Sequence, residues 1–335
     1  MKTHLSVLVT MGALLLPASC LAQASNASAS TPPAPVAVPA ARVPHATQAA
    51  MLASVRAGSR IVAVGDHGVV LLSDDAGKTH RQAKAVPTDV TLTSVSFVDE
   101  RQGWAVGHSG VVLHTTDGGE TWARQRFDTQ HDRPLFAVHF FDAEHGVAVG
   151  LWSLVLITQD GGTHWRAVDM PVPEGARKAD LNLLGLFANS KGQLFAPAEK
   201  GMVLRSDDQG QHWRYMPTGY TGSFWTGVAT PDGALLVAGL RGSLYRSSDD
   251  GRTWSRIDTH SQSSITAMAL VGSQVVGVGL EGLVLRSSDS GASFIAEVRR
   301  DRLSLTALTA NAAGQPVFYS RQGIVKADAA DAVAK

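Results

Sequence analysis

Glu199 and Glu281 are the two carboxylates of this chain that could serve as an acid–base pair, each lying in a short turn between small residues. Paired in that way they could cleave a glycosidic bond, one protonating the leaving oxygen while the other attacks or activates water. His67 and His108 occupy equivalent turns and could approach each other, but two imidazoles do not make a metal site and no third ligand stands at a suitable spacing. Six further carboxylates, Asp75, Asp117, Asp160, Asp208, Asp249 and Asp289, sit in Gly-rich turns that resemble calcium loops. Each such turn offers one or two carboxylates where calcium takes about six to eight oxygens. No catalytic residue, metal or cofactor is therefore expected.

These residues belong to a repeat. The pattern [S/T]-x-D-x-G-x-[T/S]-W occurs at 115–122, and full or close copies stand at 73–80, 158–165, 206–213, 247–254 and 287–294. The motif aspartates are spaced by 42, 43, 48, 41 and 40 residues. A period this steady signals a repeat architecture and outweighs local propensity. A G-x-x-G-like step, opened by Gly65, Gly107, Gly150, Ala198, Gly239 and Gly279, always precedes the motif Asp by ten residues, so insertions fall elsewhere.

Each repeat is too short to bury a core by itself. In the second, strands are predicted at 92–98, 103–107, 111–115 and 121–126, because apolar and polar residues alternate there and Gly-rich turns bound them. No convincing helical period appears. Four-stranded units of this length pack radially, so the chain is predicted to be all-β, a seven-bladed β-propeller with blades near 51–84, 91–126, 135–169, 181–216, 223–257, 264–298 and 303–328. The last blade lacks its motif Asp, since position 330 is alanine, and the tail 329–335 supplies no fourth strand. Residues 35–43 are expected to pair as that missing outer strand and close the ring, an edge position where proline is tolerated.

Composition agrees with many short strands and tight turns. The 335 residues include 33 Gly, only 17% are charged, and 29 basic residues balance 29 acidic ones. That balance points to neither nucleic acid nor an anionic membrane as partner. Lys2 and His4 precede a dozen apolar residues and the small-residue site Ala22-Gln23-Ala24, so residues 1–24 are expected to be a signal peptide. Export to the periplasm or medium follows. The single cysteine, Cys20, falls in this leader; lipidation there is disfavoured by Pro17, and the mature chain should hold no thiol. Residues 25–50, rich in Ala, Pro and Ser, read as a tether of which part closes the propeller.

The repeated motif has a structural reading. Its Asp can accept turn N–H groups, its Gly can take the left-handed conformation, and Trp122, Trp165, Trp213 and Trp254 can pack on a neighbouring blade. The motif resembles the Asp-box, or BNR, repeat of sialidases and related propellers. The run G-W-A-V-G-x-x-G-x-x-L-H-T-T-D-G-G-x-T-W at 103–122 is most similar to the photosystem II stability and assembly factor family, over roughly residues 51–326. That resemblance implies a non-enzymatic scaffold holding polypeptides of a membrane complex under assembly. The sialidase resemblance implies instead a glycoside hydrolase, which would need an arginine triad and a Tyr–Glu nucleophile. Of the four tyrosines, Tyr215, Tyr220, Tyr245 and Tyr319, none sits in an axis-facing turn beside a Glu.

Blade geometry puts the Asp boxes on one face and the G-x-x-G turns, with the connections between blades, on the other. The central residues of those second-face turns vary while their flanks stay nearly constant. Asp66, His67, His108, Trp152, Glu199, Lys200, Arg241, Glu281 and Arg321 form the expected partner-binding rim, with Arg133 and Arg177 on the two longest connections as a basic patch. Trp and Arg are common interface anchors. The expected partner is a protein, from a membrane complex or transporter, and the expected state is a monomer.

Overall fold

The structure, a computed structural model, describes residues 38–128 and 130–326. The leader, Cys20, residues 35–37 of the proposed closing strand and the tail from 327 onward lie outside them. Six antiparallel four-stranded blades and a seventh of three strands form the predicted seven-bladed β-propeller, with no α-helix among the described residues. Blade two illustrates the unit, with strands Leu92–Phe97, Gly103–Gly107, Val112–Thr115 and Ala123–Arg126. The predicted bounds differ from these by one or two residues.

Second and third strands are the most buried because both their faces meet a neighbouring blade. Gly146–Gly150 and Val155–Thr158 are buried throughout. The apolar clusters accordingly span seams between blades; one joins Val62 and Leu72 of blade one to Trp122 of blade two. First strands line up around the ring, tied by threonines. Thr93 Oγ1 donates to the Leu135 carbonyl at 2.7 Å, and Thr266 Oγ1 to that of Leu305 at 2.8 Å.

The ring closes in the same manner between blades seven and one, where Thr306 Oγ1 donates to the Met51 carbonyl. His80 Nε2 adds a 2.9 Å bond to the buried Tyr319 hydroxyl. This corrects the expected closure by an N-terminal strand. Residues 38–43 lie against blade one, with Ala40 N–H on the Val86 carbonyl at 2.9 Å and Val43 N–H on Gln82 Oε1 at 3.1 Å. Those bonds take two of the few donors this Pro-rich segment has, leaving them unavailable to blade seven. Thr47 substitutes for an inter-blade connection instead. Its carbonyl would be 1.9 Å from a Cβ on Gly323, matching Thr88 at Gly68 and Ser261 at Gly242, each at 2.0 Å.

Candidate functional site

The Asp boxes consume their own chemistry. In blade two, Asp117 Oδ1 accepts the Thr121 N–H at 3.0 Å and Oδ2 the Thr121 hydroxyl at 2.6 Å, while Thr115 Oγ1 caps the Gly119 N–H at 3.0 Å. The same motif residues bond alike in blades one, five and six; in blades three and four His164 and His212 replace the hydroxyl donor. Hydroxyl and then N–H donation from Thr253 holds Asp249 at about 2, and Ser293 does the same for Asp289. The glycine sits at φ 87° at Gly119, and Trp122 Nε1 returns to its carbonyl at 3.0 Å. Among the described residues no group of three or more His, Cys, Asp or Glu could hold a metal ion.

The second-face turns are held differently, by backbone. In six blades the N–H after the first turn residue donates to the carbonyl just before that blade's first strand, and in blade four Glu199 N–H donates to the Asn182 carbonyl, next to the isolated Leu183–Ala198 bridge. The distance is 2.9–3.1 Å where the first residue is Gly, and 3.3 Å at Ala198 and Ser320, where it is not. The reason is space: a Cβ on Gly107 would lie 2.1 Å from the Thr91 carbonyl oxygen. Blade four, with Ala198, keeps a first strand of only Phe187–Ala188.

A third bond ties each of several turns to the next blade. Trp152 N–H donates to Asn182 Oδ1 at 3.0 Å, Arg241 N–H to Ser264 Oγ at 3.1 Å, and Glu281 N–H to Ser304 Oγ at 3.3 Å. With backbone groups satisfied by neighbours, the side chains are left to point outward. His67, Ser109, Trp152, Lys200, Arg241 and Glu281 take the same third place of their turns, all at φ 53–57°. Left-handed backbone costs a non-Gly residue roughly 1–2 kcal/mol, so side chains are kept here against a strain that glycine would remove.

The predicted rim residues fall into three groups. His67, Trp152, Lys200, Arg241 and Glu281 stand in that exposed left-handed ring, Trp152 at 58% exposure. His108 and Arg321 are exposed but one place earlier in their turns, so His67 is matched by Ser109 and not by His108. Asp66 and Glu199 are half-buried and engaged, Asp66 with the Thr91 hydroxyl at 3.2 Å and Glu199 with the Asn182 N–H and amide, both at 3.0 Å. Glu281 accepts from Ser263 Oγ at 3.1 Å. Arg177 is exposed, whereas Arg133 is half-buried with its Nε orphaned. Three tyrosine hydroxyls are also taken: Tyr215 donates to the Pro171 carbonyl, Tyr220 to that of Leu240, and Tyr319 pairs with His80.

Beside the turn of blade five the rim deepens into a cleft of about 440 Å³, lined by Arg241, Arg256, Tyr220, Tyr245 and Gln262 among others. No carboxylate lines it, and neither arginine is in an ion pair among the described residues. The Tyr220 and Tyr245 rings lie 5.7 Å apart and tilted by 35°, with Phe224 completing the cluster. Sequence reasoning left out Arg256 and weighed Tyr220 and Tyr245 only as nucleophiles, because all three lie outside the G-x-x-G turns. Strand register was the available signal: Arg256 pairs across from Tyr245, five positions after Leu240.

Fold and site thus define a seven-bladed Asp-box propeller whose box face is structural and whose opposite face carries varied, exposed side chains. Residues 78–269, more than half of the 335, match the family described as photosynthesis system II assembly factor YCF48, and the chain belongs to that family. It is 33% identical over 174 residues to the photosystem II assembly protein Ycf48 of Thermosynechococcus vestitus, covering 51% of this chain and 48% of that one. Identity to the photosystem II assembly lipoprotein Ycf48 of a Picosynechococcus species is 34% over 189 residues, covering 55% and 54%. The chain spans about half the length of these relatives. Its fold superimposes on that of "YCF48 bound to D1 peptide" with a TM-score of 0.67 at 20% identity, covering 85% of this chain and 94% of the other. YCF48 from Cyanidioschyzon merolae gives 0.67 at 16%, covering 86% and 97%.

Proposed function

We propose that this chain is an exported, non-enzymatic assembly factor that holds a polypeptide segment of a membrane complex on its second face. The cleft at Arg241 and Arg256 carries this reading. Two guanidinium groups with no ion pair among the described residues suit carboxylates, and the adjoining tyrosines suit an apolar or aromatic side chain of the same segment. Trp152, Lys200, Arg177 and the remaining rim residues extend the contact. Family membership and the D1 peptide bound by the related YCF48 support the choice of a polypeptide ligand. Export rests on the leader sequence, with the relatives named as lipoproteins in agreement.

Affinity capture from solubilised membranes tests the assignment, with the wild-type chain and a Trp152→Ala, Arg241→Ala, Arg256→Ala variant as baits. The variant should lose about tenfold of whatever the wild type specifically recovers, since buried charge pairs and aromatic anchors dominate such contacts. Equal recovery rejects the rim. Glycosidase activity is disfavoured because Glu199 is spent on Asn182. Turnover of aryl glycosides that Glu199→Gln abolishes would reinstate it.

A further inference from the structure

Five of the seams between blades share one bond. The carbonyl just after the motif Asp accepts a donor from the preceding blade: Arg60 to Gly118 at 3.0 Å, Trp104 to Gly161 at 3.0 Å, Arg205 to Asp250 at 2.8 Å, Arg246 to Ser290 at 3.1 Å, and Asn311 to Ala76 at 3.2 Å. Arg205 and Arg246 each stand directly before the serine that opens their own blade's Asp box. Arg286 stands in the same place before Ser287. Its partner would be the Asp box of blade seven, which has neither box nor fourth strand among the described residues. The ion pair it makes instead, with Glu297, is loose at 3.6 Å.

That seat is a groove of about 700 Å³. Phe318, Ile324 and Val325 of blade seven form an apolar wall, and Arg286, Lys78 and Lys326 supply cations with no carboxylate in the lining. Ile295, paired across from Arg286 and so on the same sheet face, is 70% exposed. Ile324 lies in the last strand of its sheet, with an edge unpaired among the described residues. Among the described residues, the N-terminal segment 38–43 is bonded to blade one.

We propose that the groove receives a partner's strand. An extended segment would pair with the edge at Ile324 as the blade's fourth strand, its backbone supplying the ladder as in other strand-addition complexes. A turn before that strand would place a carbonyl on Arg286, an aromatic side chain would fill the seam where Trp122 or Phe294 sits in other blades, and carboxylates would face Lys78 and Lys326. This site is separate from the cleft at Arg241, so the two readings stand or fall apart.

A synthetic peptide copying residues 287–298 of this chain has the required chemistry, with Asp289, Phe294 and Glu297 around one turn and one strand. Labelled and titrated with the full chain at low salt, it should bind saturably, and amide exchange should slow at Ile324 and Val325. Arg286→Ala and Lys78→Glu should each weaken binding about tenfold, while Arg241→Ala should leave it unchanged. Absence of saturable binding, indifference to Arg286→Ala, or protection elsewhere overturns the proposal. If Asp328→Lys with Asp331→Lys instead tightens binding tenfold, the chain's own tail is the occupant and the assignment to a partner falls.

Discussion

The two faces of the propeller solve one problem, closing a tight hairpin, by opposite means. On the box face side chains satisfy the backbone: Asp117 and Thr115 bond groups within four positions of themselves, so the same residues must recur in blade after blade. On the second face backbone satisfies backbone, as the carbonyl of Thr91 holds the His108 N–H and crowds Gly107. The glycine is then the constrained residue, and side chains beside it such as His67, Trp152 and Arg241 stay exposed. A face that spends its side chains on folding varies only between residues able to make the same bond, as where His164 and His212 replace the hydroxyl, whereas one that spends its main chain varies freely.

Three experiments bear on that contrast. The largest effect is expected from Gly107→Ala, whose Cβ would meet the Thr91 oxygen at 2.1 Å. A loss of about 3 kcal/mol, read from the urea midpoint, fits a substitution that forces strand and turn apart. A loss under about 1 kcal/mol would show that the turn is not docked as described. Ala198 and Ser320 show that a Cβ is accommodated where the turn's bond lengthens to 3.3 Å, with a first strand of two residues in blade four and of six in blade seven.

Acid titration addresses the box face. Asp75, Asp160, Asp249 and Asp289 are held at about 2 in the folded chain, below the value of about 3.9 for an unfolded chain. Carboxylates depressed on folding stabilise the native state above the unfolded value and lose that contribution as pH falls through the folded one. Stability should therefore be level in these groups above about pH 4 and decline between about 4 and 2. Asp249→Asn should flatten that decline, as followed by tryptophan fluorescence. An unchanged slope would mean the bonds to Thr253 do not favour the charged carboxylate.

The smallest effect on stability belongs to the rim. Trp152→Gly replaces an exposed residue at φ 54° and should leave stability unchanged or raise it by about 1 kcal/mol, while reducing capture of the membrane partner. Destabilisation instead would make Trp152 a packing residue.

Much of the fold was legible because its signals are local. The box from Thr115 to Trp122 closes through bonds of two to four positions, so its recurrence shows both the hairpins and their number. Five left-handed rim residues could be listed from the G-x-x-G register alone. What misled was terminal bookkeeping: a blade short of a strand and a spare segment suggested that one fills the other, but hydrogen-bond donors at Ala40 and Val43 are claimed by Val86 and Gln82. His67 and His108 do occupy equivalent turns, but at the third and second places of those turns, so only His67 takes the left-handed conformation.

From the residues alone came the period, the propeller, the placing of the boxes and the G-x-x-G turns on opposite faces, and the family, since each depends on spacings inside one repeat. Tertiary structure decided the rest: the tyrosine-and-arginine cleft beside Arg241, the donors that lock one blade to the next, and the edge of blade seven that is unpaired among the described residues. Those features join residues such as Arg60 and Gly118, or Thr306 and Met51, that lie tens to hundreds of positions apart. Their meeting depends on the angle at which sheets pack and the ring shuts, which no single repeat encodes.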